Sequence, residues 1–281
     1  MTGKGAALYG VVGHPVSHSR SPLIHQLFAG QTGQDMDYVP IDAAPGQFLE
    51  VLAEFHRRGG LGLNITLPYK GDAYRFATRL TPRSKIAEAV NTLWWRGDEV
   101  LGDNTDGAGL VTDLTANLGF TLNDRRVLLL GAGGAARGAI APLLEGSPAE
   151  IVIANRTVSR AQNLAARFSD LGPVSAAVFE QLEGDFDLVV NSTSASLAGE
   201  VPPLPVTAIS ADTLCYDMMY QKGLTPFLAW AGMQGACVIA DGTGMLVEQA
   251  AESFFLWRGI RPDTGPVLRA VRRQLDQAPD R

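Results

Sequence analysis

The stretch that decides the fold is Arg126-Val127-Leu128-Leu129-Leu130-Gly131-Ala132-Gly133-Gly134-Ala135-Ala136-Arg137-Gly138. Arg126 to Leu130 reads as a strand, and the glycines after it match G-x-G-x-x-A at the mouth of a helix ending near Glu145. In such a turn Gly131 permits the sharp reversal, Gly133 lets backbone amides approach a pyrophosphate, and Ala136 lets the helix pack closely on the strand. The helix N-terminus adds free N–H groups and partial positive charge. A bare glycine pattern is weak, because a purely structural turn can need the same residues. The strand before it and the helix after it carry the dinucleotide reading.

The next strand, Ile151-Val152-Ile153-Ala154, ends at Asn155-Arg156-Thr157, with Arg160 following. An NAD site ordinarily has an acid there for the ribose 2′-OH. Asn155 has no carboxylate to repel a 2′-phosphate, and two guanidiniums and a threonine hydroxyl can bind one through charge-assisted hydrogen bonds. The expected cofactor is therefore NADP, unless Arg156 and Arg160 are merely solvated residues on a helix face. Leu188-Val189-Val190 and Cys237-Val238-Ile239 continue the strand series, and strands alternating with helical patterns predict a parallel sheet.

Upstream lies a smaller α/β unit. Ala7 to Val12 reads as a strand stopped by Gly13 and Pro15, and Ser21-Pro22 opens a helix to about Gly30, with Ser21 as N-cap. Tyr38 to Ile41 reads as a second strand, Pro45 to Arg58 as a helix with Phe48, Leu49, Leu52 and Phe55 on its apolar face, and Leu61 to Thr66 as a third strand. Gly109 to Leu118 reads as a connecting helix, and Met245 to Trp257 as an amphipathic helix that returns to the first unit.

Three polar clusters stand where strands of the first unit end, the usual ligand side of an open α/β sheet. Gly13-His14-Pro15-Val16-Ser17-His18-Ser19-Arg20-Ser21-Pro22 offers hydroxyls beside a helix N-terminus, a reasonable carboxylate cradle, although capping by Ser21 alone is the plainer reading. Asn64-Ile65-Thr66-Leu67-Pro68-Tyr69-Lys70 contributes one lysine, a residue more often a solvated surface charge. Asn91-Thr92 and Gly102-Asp103-Asn104-Thr105-Asp106-Gly107 are rich in side chains that bond to backbone; the second lacks the twelfth-position Glu of a calcium loop.

Composition bounds the rest. The 281 residues suggest two domains, and 31 glycines exceed the usual ~7%. With 29 acids against 23 bases the net charge is −6 and no basic block relieves it, which argues against nucleic-acid or anionic-membrane surfaces. Cys215 and Cys237 can form neither a disulfide scaffold nor a Cys-x-x-Cys metal site and read as buried free thiols. The N-terminus shows no apolar signal region, and no stretch fits a membrane helix, so a cytoplasmic location is expected. No metal is expected.

The three clusters, together with Ala89-Val90-Asn91-Thr92-Leu93, the glycine loop, Asn155-Arg156-Thr157, Asn191-Ser192-Thr193-Ser194, Tyr216-Asp217-Met218-Met219-Tyr220 and Asp241-Gly242-Thr243-Gly244-Met245-Leu246, occur in the order found in shikimate dehydrogenases. The chain resembles that family from Tyr9 to about Trp257, departing at Ala136, where many members have serine, and at Thr243, where leucine is common. The resemblance implies reversible NADPH-dependent reduction of 3-dehydroshikimate to shikimate, toward chorismate and aromatic amino acids. It implies an N-terminal α/β substrate domain, residues 1–106 joined by a C-terminal helix at about 245–281, and a Rossmann-like, doubly wound NADP domain, residues 107–244, with a cleft between them.

By the same resemblance Lys70 and Asp106 flank the reacting oxygen. Ser19, Ser21 and Tyr220 hold the substrate carboxylate, and Thr66, Asn91, Asp106 and Gln249 bind ring hydroxyls. Gly131, Ala132, Gly133, Gly134, Ala135, Asn155, Arg156, Thr157, Arg160, Thr193, Met218 and Gly242 surround the cofactor. Either Lys70 or Asp106 could be the proton donor, and the two are treated as a coupled unit. Of the histidines, His14, His18 and His25 are read as structural and His56 as solvent-facing. Alternatives are a quinate/shikimate dehydrogenase using NAD or both cofactors, a non-catalytic NADP or shikimate sensor, and another two-domain dinucleotide enzyme such as a folate dehydrogenase. A monomer or homodimer acting on a small molecule is expected.

Overall fold

The computed structural model describes residues 6–277. The chain divides into two compact units: residues up to Asp106 together with Val247–Val271, and Gly107–Leu246 together with residues from Arg272 on. The first comprises β1 (Ala7–Gly13), α1 (Ser21–Thr32), β2 (Met36–Asp42), α2 (Phe48–Arg57), β3 (Gly60–Ile65), α3 (Lys70–Phe76), β4 (Arg79–Leu80), α4 (Pro82–Ala87), β5 (Thr92–Arg96) and β6 (Glu99–Asp103). These strands form one sheet in the order β2-β1-β3-β5-β6-β4.

That sheet is mixed: β1 runs parallel to β2 and β3, whereas β5 is antiparallel to both β3 and β6. The reason is local. Only Gly97 and Asp98 separate β5 from β6, and two residues can close a hairpin but cannot make a parallel crossover. Helix α2 begins at Phe48, later than Pro45, and buries Phe48, Leu52 and Phe55 at i, i+4 and i+7. Leu49 lies about 100° round the helix and is 60% exposed, so it does not belong to the core face.

The connecting helix starts earlier than expected, as α5 (Asp106–Thr112), and loosens into a π-helical turn at Asp113–Asn117. There the Asp113 carboxylate accepts from Tyr216 Oη at 2.7 Å and Asn117 Nδ2 at 2.9 Å, and burial pushes its pKa up. The second unit continues with β7 (Arg126–Leu130), α6 (Gly134–Glu145), β8 (Glu150–Ala154), α7 (Val158–Phe168), β9 (Val174–Ala177), β10 (Leu188–Asn191), β11 (Leu214–Asp217), α8 (Pro226–Met233) and β12 (Val238–Asp241). Its strands, ordered β12-β11-β10-β7-β8-β9, are all parallel. Val127 to Leu130 are completely buried, as a strand covered on both faces requires.

The chain winds from β7 to β9 on one side and returns at β10 on the other, so connections leave β7 and β10 in opposite directions. Such a switch point opens a crevice at the carboxyl ends of the strands. Helices α9 (Thr243–Arg258) and α10 (Thr264–Asp276) complete the chain; the expected C-terminal helix extends to residues 278–281, which lie outside the described residues. Cys215 is buried and burial pushes its thiol up to about 12. Cys237 is exposed at the foot of edge strand β12, contrary to the expectation of two buried thiols. No helix among the described residues is long and apolar enough to cross a membrane.

Candidate functional site

In the first unit, strand direction gathers the polar clusters. The register pairs Val12 with Ile65, Asn64 with Thr92, and Thr92 with Asp103. The serine loop after β1, Thr66 and Lys70 after β3, Asn91 before the antiparallel β5, and Asp106 after β6 therefore all emerge at one edge of the sheet. His14 N–H donates to Leu67 O at 3.0 Å, tying the first two loops together.

At that edge Lys70 Nζ donates to Asp106 Oδ2 at 2.5 Å, with side chains 30% and 19% exposed. Asp106 Oδ1 accepts from Asn91 Nδ2 at 2.8 Å, and the Asp106 N–H donates to Asn104 Oδ1 at 3.1 Å. Both carboxylate oxygens are thus held, while Lys70 retains N–H donors beyond the one aimed at Asp106. Asn91 Nδ2 also lies 3.2 Å from Gln249 Oε1. Lys70, Asp106, Asn91 and Gln249 form one cluster.

Ser21 is not the N-cap of α1. Arg20 holds that position, Ser21 is the buried first helical residue, and its backbone N–H donates to Ser19 Oγ at 3.2 Å. Burial raises the pKa of the Tyr38 phenol well above its ordinary value, and Ser21 beside it works against that shift. Thr66, half-buried, follows β3 beside Gly13. Tyr220 belongs to the second unit, after β11, and is not in the Ser19–Ser21 loop.

Beneath the cluster lies a support of which the sequence marks only His25 as structural. Buried Asn64 accepts on Oδ1 from Tyr38 Oη at 2.7 Å and His25 Nε2 at 3.1 Å. His25 is completely buried, stacks on Tyr38 at 4.2 Å and leaves Nδ1 without a hydrogen-bond partner; burial lowers its pKa to about 3. Asp103, 1% exposed, holds a bidentate pair with Arg83 at 2.8 and 2.6 Å, and Glu252 meets the same guanidinium at 3.0 Å. Burial works against the Arg83 charge, but its hydrogen bonds with Asp103 and Glu252 keep its pKa above the ordinary value. The available signal was polar residues inside apolar strands, of which Asn64 in Leu63-Asn64-Ile65 is the clearest.

In the second unit, a row of paired residues, Ala154, Leu130, Asn191, Asp217 and Asp241, marks the carboxyl ends of five parallel strands. Gly131, Asn155, Thr193, Met218 and Gly242 follow within two residues of that row. Gly131 has φ +102°, outside the range L side chains adopt readily, and a Cβ there would also press on Ser192 and Thr193. Gly133 and Gly134 differ: nothing in the protein lies within 4 Å of where their Cβ atoms would be. The fold leaves that space open.

Gly133 is the N-cap of α6, with no side-chain cap and no acid in the first turn, so the helix end stays available to an anion. A cavity of about 270 Å³ beside it is lined by Ala132, Gly133, Gly134, Arg137, Arg160 and Leu164, among others. Asn155 Nδ2 donates to Thr157 O at 2.9 Å and shapes the loop, leaving Arg156 and Thr157 exposed. Thr193 Oγ1 donates to Asn191 Oδ1 at 2.7 Å, and Gly242 packs against Met218 O. Open amides, a helix N-terminus and exposed guanidiniums fit a phosphorylated dinucleotide.

Family models match at residues 11–93 (shikimate dehydrogenase substrate binding domain), 113–198 (shikimate / quinate 5-dehydrogenase) and 242–272 (shikimate 5′-dehydrogenase C-terminal domain). The shikimate dehydrogenase (NADP(+)) of Nitrosospira multiformis is 58% identical over 95% of this chain and 98% of its own. An Ael1 enzyme from Pseudomonas putida superposes with TM-score 0.91 at 46% identity, covering 97% of this chain and 99% of that one. The Thermus thermophilus shikimate 5-dehydrogenase, in complex with NADP(H) and shikimate, gives 0.86 at 32% identity over 96% and 100%.

Proposed function

Because the chain belongs to the shikimate dehydrogenase family, we propose that it catalyses the reversible, NADPH-dependent reduction of 3-dehydroshikimate to shikimate, toward chorismate and the aromatic amino acids. The observation that carries this is the Lys70–Asp106 pair, held by Asn91 at the strand ends of the first unit. Bound NADPH supplies the hydride. Lys70 meets the developing alkoxide with an N–H and positive charge, and the Lys70–Asp106 pair delivers the proton as one coupled unit. Asp106 keeps the ammonium in place, since its other oxygen is anchored by Asn91 Nδ2.

In this reading the first unit is the substrate domain. Ser19, Ser21 and Tyr220 take the carboxylate, and Thr66, Asn91, Asp106 and Gln249 the ring hydroxyls. The second unit holds NADP through Gly131 to Ala135, Asn155, Arg156, Thr157, Arg160, Thr193, Met218 and Gly242. Arg156 and Arg160 favour NADP over NAD by pairing with a 2′-phosphate. The enzyme works in the cytoplasm as a monomer or homodimer. The deciding experiment incubates purified protein with shikimate or quinate and either NADP⁺ or NAD⁺, following reduced nicotinamide by absorbance. Shikimate with NADP⁺ is expected to react fastest; no reaction with any pair overturns the proposal.

A further inference from the structure

The structure assigns Thr92 and Ser253 as positioning residues that set the amide orientation of Asn91, and this inference rests on the proposed substrate role of Asn91. Thr92 and Ser253 are completely buried and cannot touch substrate directly. They join two amides whose directions are fixed from outside. At one end, Asn64 Oδ1 accepts from the Tyr38 phenol and the His25 ring, so Nδ2 must point the other way, toward Ser253 Oγ at 3.0 Å. At the other end, Asn91 Oδ1 accepts from the backbone N–H of Thr105 at 2.9 Å, a group that can only donate.

Between them, Ser253 Oγ and Thr92 Oγ1 are 2.7 Å apart, and Thr92 Oγ1 donates to Asn91 Oδ1 at 2.9 Å. Asn64 Nδ2 can only give protons and Asn91 Oδ1 can only accept them, and the order Asn64 to Ser253, Ser253 to Thr92, Thr92 to Asn91 satisfies the chain, with Asn64 Nδ2 also 3.3 Å from Thr92 Oγ1. Two donors on Asn91 Oδ1 turn Nδ2 toward Asp106 Oδ1 at 2.8 Å and Gln249 Oε1 at 3.2 Å. Without the Thr92 hydroxyl one of those two donors is lost, and Thr105 alone holds the amide, through its N–H on Oδ1 and its Oγ1 2.8 Å from Nδ2, which weakens the aim at Asp106. Ser253 Oγ also lies 3.0 Å from the carbonyl of Gln249, which competes with Thr92 for the single Ser253 proton.

The test compares Thr92→Val, which keeps the shape and removes the hydroxyl, with Thr92→Ser, which keeps the hydroxyl and removes a methyl. For Thr92→Val, the KM for shikimate should rise about three- to tenfold, the effect of one misdirected hydrogen bond. The KM for NADP⁺ should be unchanged, and Thr92→Ser should stay near the parent. Ser253→Ala supplies the same readout if Thr92→Val does not fold. In an Asn91→Ala background, Thr92→Val should add nothing further. A raised KM in Thr92→Ser with a normal one in Thr92→Val shows a packing role and overturns the inference, as does full additivity with Asn91→Ala. If Asn91→Ala itself leaves the kinetics unchanged, the site reading fails instead.

Discussion

Lys70 and Asp106 are only partly buried, so their ion pair adds little to stability and its value lies in where it puts an ammonium. Lys70→Ala is therefore expected to fold normally, lose kcat on the order of 10²–10⁴-fold, and change shikimate KM modestly, as steady-state kinetics beside a thermal melt will show. His25 leads to a different kind of prediction. Its pKa falls from 6.5 to about 3 on folding because burial excludes the charged form. The unfolded chain then binds more protons than the native one between those values, so stability is intact above pH 6.5 and is lost as pH falls toward 3. The slope is up to about 1.4 kcal/mol per pH unit for one proton. His25→Phe keeps the stacking on Tyr38 and should flatten that slope in urea titrations at pH 4 to 6. An unchanged slope assigns the acid sensitivity to other groups.

At the scale of elements, the β7–α6 turn separates what the fold needs from what a ligand needs. Gly131→Ala puts a side chain at φ +102° against Ser192 and Thr193, and should destabilise the protein by ~1–2 kcal/mol or more. Gly133→Ala meets no protein atom and has an ordinary φ of −92°, so its melting temperature should hold or rise slightly while NADP⁺ affinity falls. Equal affinity for NADP⁺ in Gly133→Ala and parent protein, measured by calorimetry, contradicts the cradle. This turn was legible because its signal is contiguous: an apolar run, special glycines, then a helix. The β5–β6 hairpin was less so, since Trp94-Trp95-Arg96-Gly97-Asp98-Glu99 lacks the strict alternation that marks a strand pair.

For the whole molecule, a ligand that binds only the native state stabilises it by mass action, by about 2.7 kcal/mol at a hundred times Kd. NADP⁺ should raise the melting temperature well above the value with equal NAD⁺, and Arg156→Ala should remove most of that difference; equal shifts for both cofactors in the parent protein defeat the assignment to NADP. The sequence by itself determined the parallel nucleotide-binding unit and the NADP preference expected of Asn155-Arg156-Thr157, because each is written in neighbouring residues, whereas Lys70 and Asp106 stood out only through the order of motifs shared with a family. It misplaced Ser21 as a cap, Leu49 in the core and Cys237 in the interior, where one turn of helix or the exposure of an edge strand decides the outcome. Only the tertiary structure decided that Asn64, Thr92, Thr105 and Ser253 meet beneath Asn91. Ser253 and Asn64 are 189 residues apart, and a hydrogen bond across that separation leaves no periodicity or spacing to read. It exists because an antiparallel β5 brings Thr92 back beside Asn64, and α9 lays Ser253 on both.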